Sequence, residues 1–176
     1  MSSGQNNVPW VTRPERPADA AAVHRVNAAA FETAAEADLV DALRRDPGAW
    51  IHGLSTVATA PDGDEVVSHA LLTRCRVGGQ DALALAPCAT LPQFQGSGAG
   101  SAAIRAGLET ARAAGENLVV VLGHAAYYPR FGFVPAASMG VTGPFEVPEG
   151  YFLALSLDPS RPTPRGEISY PPAFGI

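Results

Sequence analysis

Residues 82–122 follow one strand, loop, helix, strand pattern, and this pattern restricts the fold more than any other part of the chain. An apolar run at residues 82–90 (ALALAPCAT) leads through a short turn into a glycine-rich loop, QGSGAG, at residues 95–100. An alanine-rich stretch with helical periodicity covers residues 101–115, and the apolar run LVVVL follows at residues 118–122. Because a crossover through a helix returns to the same sheet with a fixed hand, the two strands are expected to be parallel neighbours.

The remaining pattern predicts a single α/β domain that covers residues 8–176. Strands are expected at residues 8–12, 50–60, 65–77, 82–90, 118–122 and 151–157, and helices from residue 17, over residues 36–45 and over residues 101–115. Such an order gives a mixed, mostly antiparallel central sheet with one parallel pair, flanked by helices. Pro87 lies inside the third strand of an antiparallel meander, and because proline has no N–H to donate, a bulge or a splay is expected there. The polar residues 1–7 are expected to be disordered.

Composition excludes several classes of function. The net charge of −5 and the pI of about 5.3 argue against nucleic-acid binding. All 12 basic residues are arginine, which excludes a lysine Schiff base and a lysine-dependent phosphate loop. The apolar runs are too short to span a bilayer, and the first residues lack an export signal, so a cytoplasmic protein is expected. Cys75 and Cys88 lie in apolar segments without a CxxC motif, which favours small buried side chains over a disulfide or a metal pair. No metal is expected.

The glycine loop has the setting of a phosphate-binding site. A loop without Cβ atoms at the start of a helix presents free N–H groups to phosphate oxygens, and the helix dipole favours an anion there. No Lys-Ser/Thr pair closes the loop, and the spacing is GxGxG, with Ser101 where a dinucleotide loop has its third glycine. The simpler alternative is a flexible turn that caps a helix.

The motif Gln95-x-x-Gly98-x-Gly100 resembles the pyrophosphate loop of the GNAT superfamily of N-acetyltransferases, which bind acetyl-coenzyme A (acetyl-CoA). A second segment, LGHAAYYPRFGFVP at residues 122–135, resembles the part of these enzymes in which a tyrosine stands four residues before a Gly-Phe pair. With the segments APCATLPQFQGSGAGSAAIRAGLE, GDEVVSHALL and YPPAF, the chain resembles the bacterial YhbS-type subgroup over about residues 8–175. Ser97 departs from the pattern, since many members carry Arg or Lys there, and Thr90-Leu91 replaces the more frequent Val-His.

The resemblance implies how this chain would hold and use acetyl-CoA, without a metal. The implied cofactor-binding residues are Cys88, Ala89, Thr90, Gln95, Gly96, Ser97, Gly98, Ala99, Gly100, Ser101 and Arg130. Tyr128 would protonate the leaving thiolate. The alternative is that Tyr128 is a core aromatic, which is the role expected for the adjacent Tyr127. His124 would relay a proton from the amine, or it is simply a capping or surface residue.

The resemblance implies direct transfer of an acetyl group to a primary amine of a small molecule or peptide, in a ternary complex. The alternatives are an acyl-CoA-binding regulatory protein without turnover and a nucleotide-binding module. Glu32 and Glu36 follow the first helix, where this fold builds its acceptor pocket, although solvated surface charges are the simpler interpretation. His69 is interpreted as a satisfied core histidine, and Arg105 as either a phosphate ligand or a surface partner of Glu109. Analogy with the family allows a homodimer.

Overall fold

The computed structural model describes residues 9–148 and 150–176, which form one mixed sheet with helices on both of its faces. The predicted disorder of residues 1–7 lies outside the described residues. The α-helices are α1 (Ala20–Ala30), α2 (Ala35–Arg44) and α3 (Ala99–Ala113). The strands are β1 (Val11–Pro14), β2 (Ser55–Thr59), β3 (Val66–Val77), β4 (Gln80–Thr90), β5 (Leu118–Leu122), β6 (Val134–Pro135), β7 (Val141–Thr142), β8 (Phe152–Ser156) and β9 (Gly166–Ser169). Short 3-10 turns cover Pro17–Asp19, Pro92–Phe94, Tyr128–Phe131, Ala136–Met139 and Pro172–Phe174.

The strands lie in the order β1-β2-β3-β4-β5-β8-β6. Neighbours along this path are antiparallel except for β4 and β5, which are parallel. β9 pairs with the end of β3 and runs parallel to β7. The predicted mixed, mostly antiparallel sheet and its one parallel pair along the main path are confirmed.

The sheet is split between β4 and β5. These strands pair only at Leu83 with Val119 and at Ala84 with Val120, whereas β5 pairs with β8 along its whole length. On the other side of β4, the register with β3 shifts between Ala70 and Leu72, opposite the segment that contains Pro87. The bulge or splay expected near Pro87 is present: the register shift with β3 is a bulge opposite the proline, and the divergence from β5 begins after Ala84.

The helices cover opposite faces of the sheet. Neighbouring residues of β2 show this alternation, since Val57 packs in the cluster under α1 and α2 while Ala58 packs under α3. The first cluster includes Val23, Val26, Val40, Leu43, Leu71 and Ala89, and the second includes Leu72, Leu83, Ile104, Leu108, Val119 and Leu153. In the described part of the chain, no helix is both long and apolar enough to cross a membrane.

Several element bounds differ from those expected from the sequence. The first strand lies at Val11–Pro14 rather than residues 8–12, and the strand expected over residues 50–60 covers only Ser55–Thr59. Residues 50–54 form turns instead of strand. The Trp50 N–H donates to the Asp46 carbonyl, and the Leu54 N–H donates to the Ile51 carbonyl. The side chains of Trp50 and Ile51 still pack against the core, which explains the apolar pattern without a strand.

His69 on β3 is the satisfied core histidine that the sequence predicts. It is 1% exposed, its Nδ1 lies 3.0 Å from Asn27 Nδ2, and its Nε2 lies 2.8 Å from Ser55 Oγ. Because the Asn27 amide donates to Nδ1, the ring proton is on Nε2 and is donated to Ser55. Burial, together with the charge of Arg44, lowers the pKa of His69 from its usual 6.5 to about 3. A neutral ring with both nitrogens engaged is not free to take a proton from a ligand.

The lowered pKa of His69 predicts an acid-sensitive stability. The unfolded chain takes up the His69 proton below pH 6.5 and the folded chain only near pH 3, so this part of the stability is complete above 6.5 and is lost as the pH falls toward 3. The free energy of unfolding should therefore be about 2 kcal/mol lower at pH 5 than at pH 7.5 from this group alone. Urea unfolding of wild type and His69→Gln at both pH values measures it. The variant should lack this difference in the free energy of unfolding between the two pH values, although it should be less stable than wild type at both. An equal pH dependence in the two proteins would contradict the lowered pKa of His69.

Candidate functional site

The split between β4 and β5 opens into a cleft made of three adjoining cavities. Their volumes are about 380 Å³ beside the glycine loop, about 230 Å³ in the middle and about 510 Å³ at the far end. The first two share Thr90, Gln95, Gly100 and Tyr127 among their lining residues, and the last two share Phe31, Cys88 and Tyr128. We call them the loop pocket, the middle section and the chamber. Shared walls make the three cavities one path along the unpaired edge of β4.

The loop pocket is lined by backbone that has unused donors. Among the described residues, the N–H groups of Gly96, Gly98, Gly100 and Ser101 have no protein acceptor, and the last two belong to the first turn of α3. Gly98 has φ +91° immediately before the helix, and a Cβ added there would meet no atom within 4 Å. The turn therefore needs glycine for its backbone conformation, and the space above it is open to a ligand. Free amides at a helix start favour an anion.

Arg130 is the one charged side chain among the residues that line the loop pocket. Its Nε–H donates to the Tyr127 carbonyl at 2.8 Å, and its guanidinium carbon lies 4.2 Å from the centre of the Tyr127 ring. The Tyr127 hydroxyl lies 3.0 Å from Ser101 Oγ, so the ring joins the segment after β5 to the start of α3. Tyr127 packs against the core, as expected for a core aromatic, but it also forms part of this wall, which the sequence did not predict. The one local signal was the arginine three residues after it.

Ser97 and Ala99 have their side chains directed elsewhere. The Ser97 hydroxyl donates to the Phe94 carbonyl, and its own carbonyl accepts a hydrogen bond of 3.1 Å from the Trp10 indole. Ala99 is fully buried in the core under α1. Neither residue is among those that line the loop pocket. Trp10 supports the loop through this bond and through its edge-on packing against Phe94, with ring centres 5.8 Å apart.

Cys88, Ala89 and Thr90 form the wall of the middle section. They pair with β3 on one side and have no partner strand on the other, because β5 has already diverged. The Gln95 side chain reaches back to the Thr90 carbonyl at 3.4 Å, which closes the corner between β4 and the loop. An exposed strand edge of this kind offers N–H and C=O groups to an extended ligand arm.

Tyr128 stands where the middle section meets the chamber. Its ring packs edge-on against Phe133, with centres 5.9 Å apart, and lies close to Tyr127, at 5.1 Å. Burial and the adjacent Cys88 thiol raise the pKa of Tyr128, and burial raises the pKa of Cys88 to about 12. Both groups are therefore protonated at neutral pH. Cys75 is buried, as the sequence predicts, whereas Cys88 is partly exposed in the cleft; both are free thiols.

Gly123 sets the position of Tyr128. A Cβ at Gly123 would lie 2.2 Å from Tyr128 Cε2 and 2.9 Å from Cδ2, so the ring rests directly on this backbone. We predict that Gly123→Ala displaces the tyrosine; for the acetyl transfer that the resemblance implies, it should lower kcat by about tenfold or more, while the Kd for CoA stays within about twofold. Gly63→Ala is the matched control, because a Cβ there meets nothing within 4 Å. Equal rates for the two variants, measured as thiol release, would show that the ring position is unimportant.

The chamber is mostly apolar. His124, which follows β5, is exposed and lines it, with its ring edge-on to Tyr151 at 5.9 Å between centres. The His124 carbonyl accepts the Tyr127 N–H at 3.1 Å, so its backbone rather than its side chain caps the following turn. Glu36 of α2 lines the chamber, whereas Glu32 is exposed and is not among its lining residues. The C-terminal residues Tyr170, Phe174 and Ile176 complete the wall.

Arg105 does not form the expected pair with Glu109. It lies over the Phe131 ring at 4.9 Å, while Glu109 pairs with Arg112 at 3.4 Å. Outside the cleft, His24, Asp38 and Asp41 bring ligand atoms within 4.8 Å of one another. His24 Nδ1 is already bonded to Asp41 at 2.8 Å, and Asp41 also accepts from Arg44. The His24 ring and the Asp41 carboxylate are therefore already engaged by protein partners.

Comparison with known proteins gives one consistent family. The sequence model described as the acetyltransferase (GNAT) family matches residues 20–133. The chain is 40% identical over 158 residues to the uncharacterized N-acetyltransferase YjhQ of Escherichia coli K12, a match that covers 85% of this chain and 86% of the relative. It is 36% identical over 127 residues to the uncharacterized N-acetyltransferase YhbS of the same strain, with 71% and 74% covered.

Two solved structures share the fold over nearly the whole chain. YhbS from Escherichia coli in complex with CoA superposes with a TM-score of 0.86 at 28% identity and covers 96% of this chain and 93% of its own. A GNAT family acetyltransferase from Brucella melitensis in complex with acetyl-CoA gives a TM-score of 0.76 at 34% identity, with 95% and 99% covered.

Proposed function

The chain belongs to the GNAT family of acetyltransferases, and from this premise we propose that it transfers an acetyl group from acetyl-CoA to a primary amine within the cleft between β4 and β5. The observation that carries the proposal is the row of unused amides at Gly96, Gly98, Gly100 and Ser101, at one end of a path that passes Tyr128. Two relatives of the same fold were solved with CoA or acetyl-CoA, which supports the same ligand here.

The residues of the loop pocket fit a pyrophosphate. Backbone N–H groups supply the donors, the glycines leave room for close approach, and Arg130 supplies a positive charge. The loop needs no lysine, which agrees with a chain that contains none. Since Ser97 is turned toward Phe94, we assign its contribution to the backbone, and Ala99 likewise contributes only through its backbone.

The unpaired edge of β4 suits the extended arm of the cofactor. Cys88, Ala89 and Thr90 would pair with it as a further strand does, and one N–H of this edge would polarise the thioester carbonyl. When bound, acetyl-CoA supplies an acetyl group activated as a thioester. The protein then contributes position, a dry apolar wall and hydrogen-bond donors.

Tyr128 is the proposed general acid. The neutral amine attacks the acetyl carbon, the carbon–sulfur bond breaks, and the Tyr128 hydroxyl gives its proton to the leaving sulfur. The raised pKa keeps this hydroxyl protonated at neutral pH, and the adjoining chamber admits the amine from the opposite side. His124 lines that chamber and is the proposed relay for the proton that the amine loses.

A thiol-release assay tests the proposal. Purified protein with acetyl-CoA and a panel of primary amines should release free CoA thiol and yield the acetylated amine by mass spectrometry. CoA binding without thiol release for any amine would instead support the regulatory alternative. Stabilisation by ATP or NAD but not by CoA in a thermal melt would support a nucleotide-binding module.

A further inference from the structure

The chamber contains a negative charge that the protein does not neutralise. Its ionisable lining residues are Glu36, His124, Cys88, Tyr128 and Tyr170, and no arginine is among the residues that line it. Burial raises the pKa of the cysteine and of both tyrosines, so these three are uncharged at neutral pH. Glu36 is therefore the one carboxylate side chain among the residues that line the chamber.

The Glu36 carboxylate has no protein partner among the described residues. Its Oε2 is buried, and within the described residues it has no hydrogen-bond partner and no ion pair. An unpartnered buried carboxylate oxygen costs free energy, because it has given up water without gaining a donor. A cationic ligand in the chamber would supply the counter-charge that this carboxylate lacks. Asp38, two residues on in the first turn of α2, is by contrast exposed.

The walls around this charge are apolar and aromatic. They include Phe31, Leu39, Leu85, Pro87, Phe174 and Ile176. The volume of about 510 Å³ falls in the range of small-molecule sites. Because no arginine lines the chamber and the chain has no lysine, a ligand carboxylate would find no guanidinium or ammonium group there and would face Glu36.

We propose that the acetyl acceptor is a small apolar primary amine without a carboxylate, which enters the chamber as an ammonium ion and is bound by Glu36. The inference rests on the proposed function and narrows its acceptor to one chemical class. It separates arylalkyl and alkyl amines, which combine a cation with an apolar body, from amino acids, which add an anion of the same sign as Glu36.

Matched amines test the inference. Phenethylamine and phenylalanine share one ring and one amine but differ in the carboxylate, as do hexylamine and 6-aminohexanoic acid. Calorimetry on the protein saturated with CoA should give a Kd at least about tenfold lower for the carboxylate-free member of each pair. Glu36→Gln should weaken phenethylamine binding by about tenfold, with the Kd for CoA unchanged, whereas Asp38→Asn should bind both ligands as wild type does.

Several outcomes would overturn the inference without touching the proposed function, provided that CoA still binds. They are equal affinity within each amine pair, no binding of either carboxylate-free amine at millimolar concentration, wild-type affinity in Glu36→Gln, and acetylation of a lysine peptide in preference to the small amines. Loss of CoA binding in wild type would instead remove the proposed function itself.

Discussion

Replacing Tyr128 with phenylalanine should lower kcat by about 100-fold while leaving the Kd for CoA within about twofold. General acids contribute about 10²–10⁴-fold to rate, and this substitution removes only the hydroxyl. The ring contacts with Phe133 and with the backbone at Gly123 are retained, so the fold and the cofactor path should persist. Steady-state thiol release with a saturating amine measures kcat, and calorimetry measures CoA affinity.

Tyr151→Phe is the control for this change. Tyr151 packs edge-on to His124 but is not among the residues that line the chamber, so the same chemical change there should leave kcat at the wild-type value. A wild-type rate in Tyr128→Phe would remove the proposed acid. Loss of CoA affinity together with rate would show that the hydroxyl binds rather than donates a proton.

Gly98→Ala should raise the Kd for CoA by about 10–100-fold. The residue before α3 has φ +91°, which costs an alanine roughly 1–2 kcal/mol, and the added Cβ would project into the open space where the ligand is proposed to lie. The backbone amides that form the proposed pyrophosphate site would then be displaced or covered. Calorimetric titration with CoA gives the change directly.

The two ends of α3 provide a matched control. Gly115, just beyond the helix, has φ +87° and also has no atom within 4 Å of an added Cβ, but it lies away from the cleft. Both Gly98→Ala and Gly115→Ala should lower the stability by about 1–2 kcal/mol, and only the first should weaken CoA binding. Equal affinities in the two variants would show that the loop backbone does not hold the ligand.

Local signals made much of the cleft predictable from the sequence. Glycines before an alanine-rich helix indicated the loop, and Pro87 indicated the splay, because each acts through its own backbone chemistry. The parallel pairing of β4 and β5 followed from a connection rule that depends only on the order of elements. The start of α3 was placed two residues late, at Ser101 rather than Ala99, since a glycine at position 100 gives no helical signal.

The parts that could not be predicted depend on contacts between distant segments. The chamber wall joins Phe31 and Glu36 to Tyr170, Phe174 and Ile176 across the whole chain, and periodicity carries no information about such meetings. The contact of Gly123 with Tyr128 and the missing partner of Glu36 likewise appear only when the elements are assembled. The short strands β6, β7 and β9 lie in proline-rich sequence and gave no strand pattern.

Calorimetric titration of the purified chain with CoA and with acetyl-CoA is the decisive test of CoA binding at the loop pocket. Two temperatures are used so that a chance enthalpy of zero cannot hide binding. A cleft that binds a diphosphate through unused backbone N–H groups should bind one molecule of either ligand per chain with a micromolar Kd. If neither ligand produces heat at millimolar concentration at either temperature, the loop pocket is not a CoA site and the proposed function is wrong.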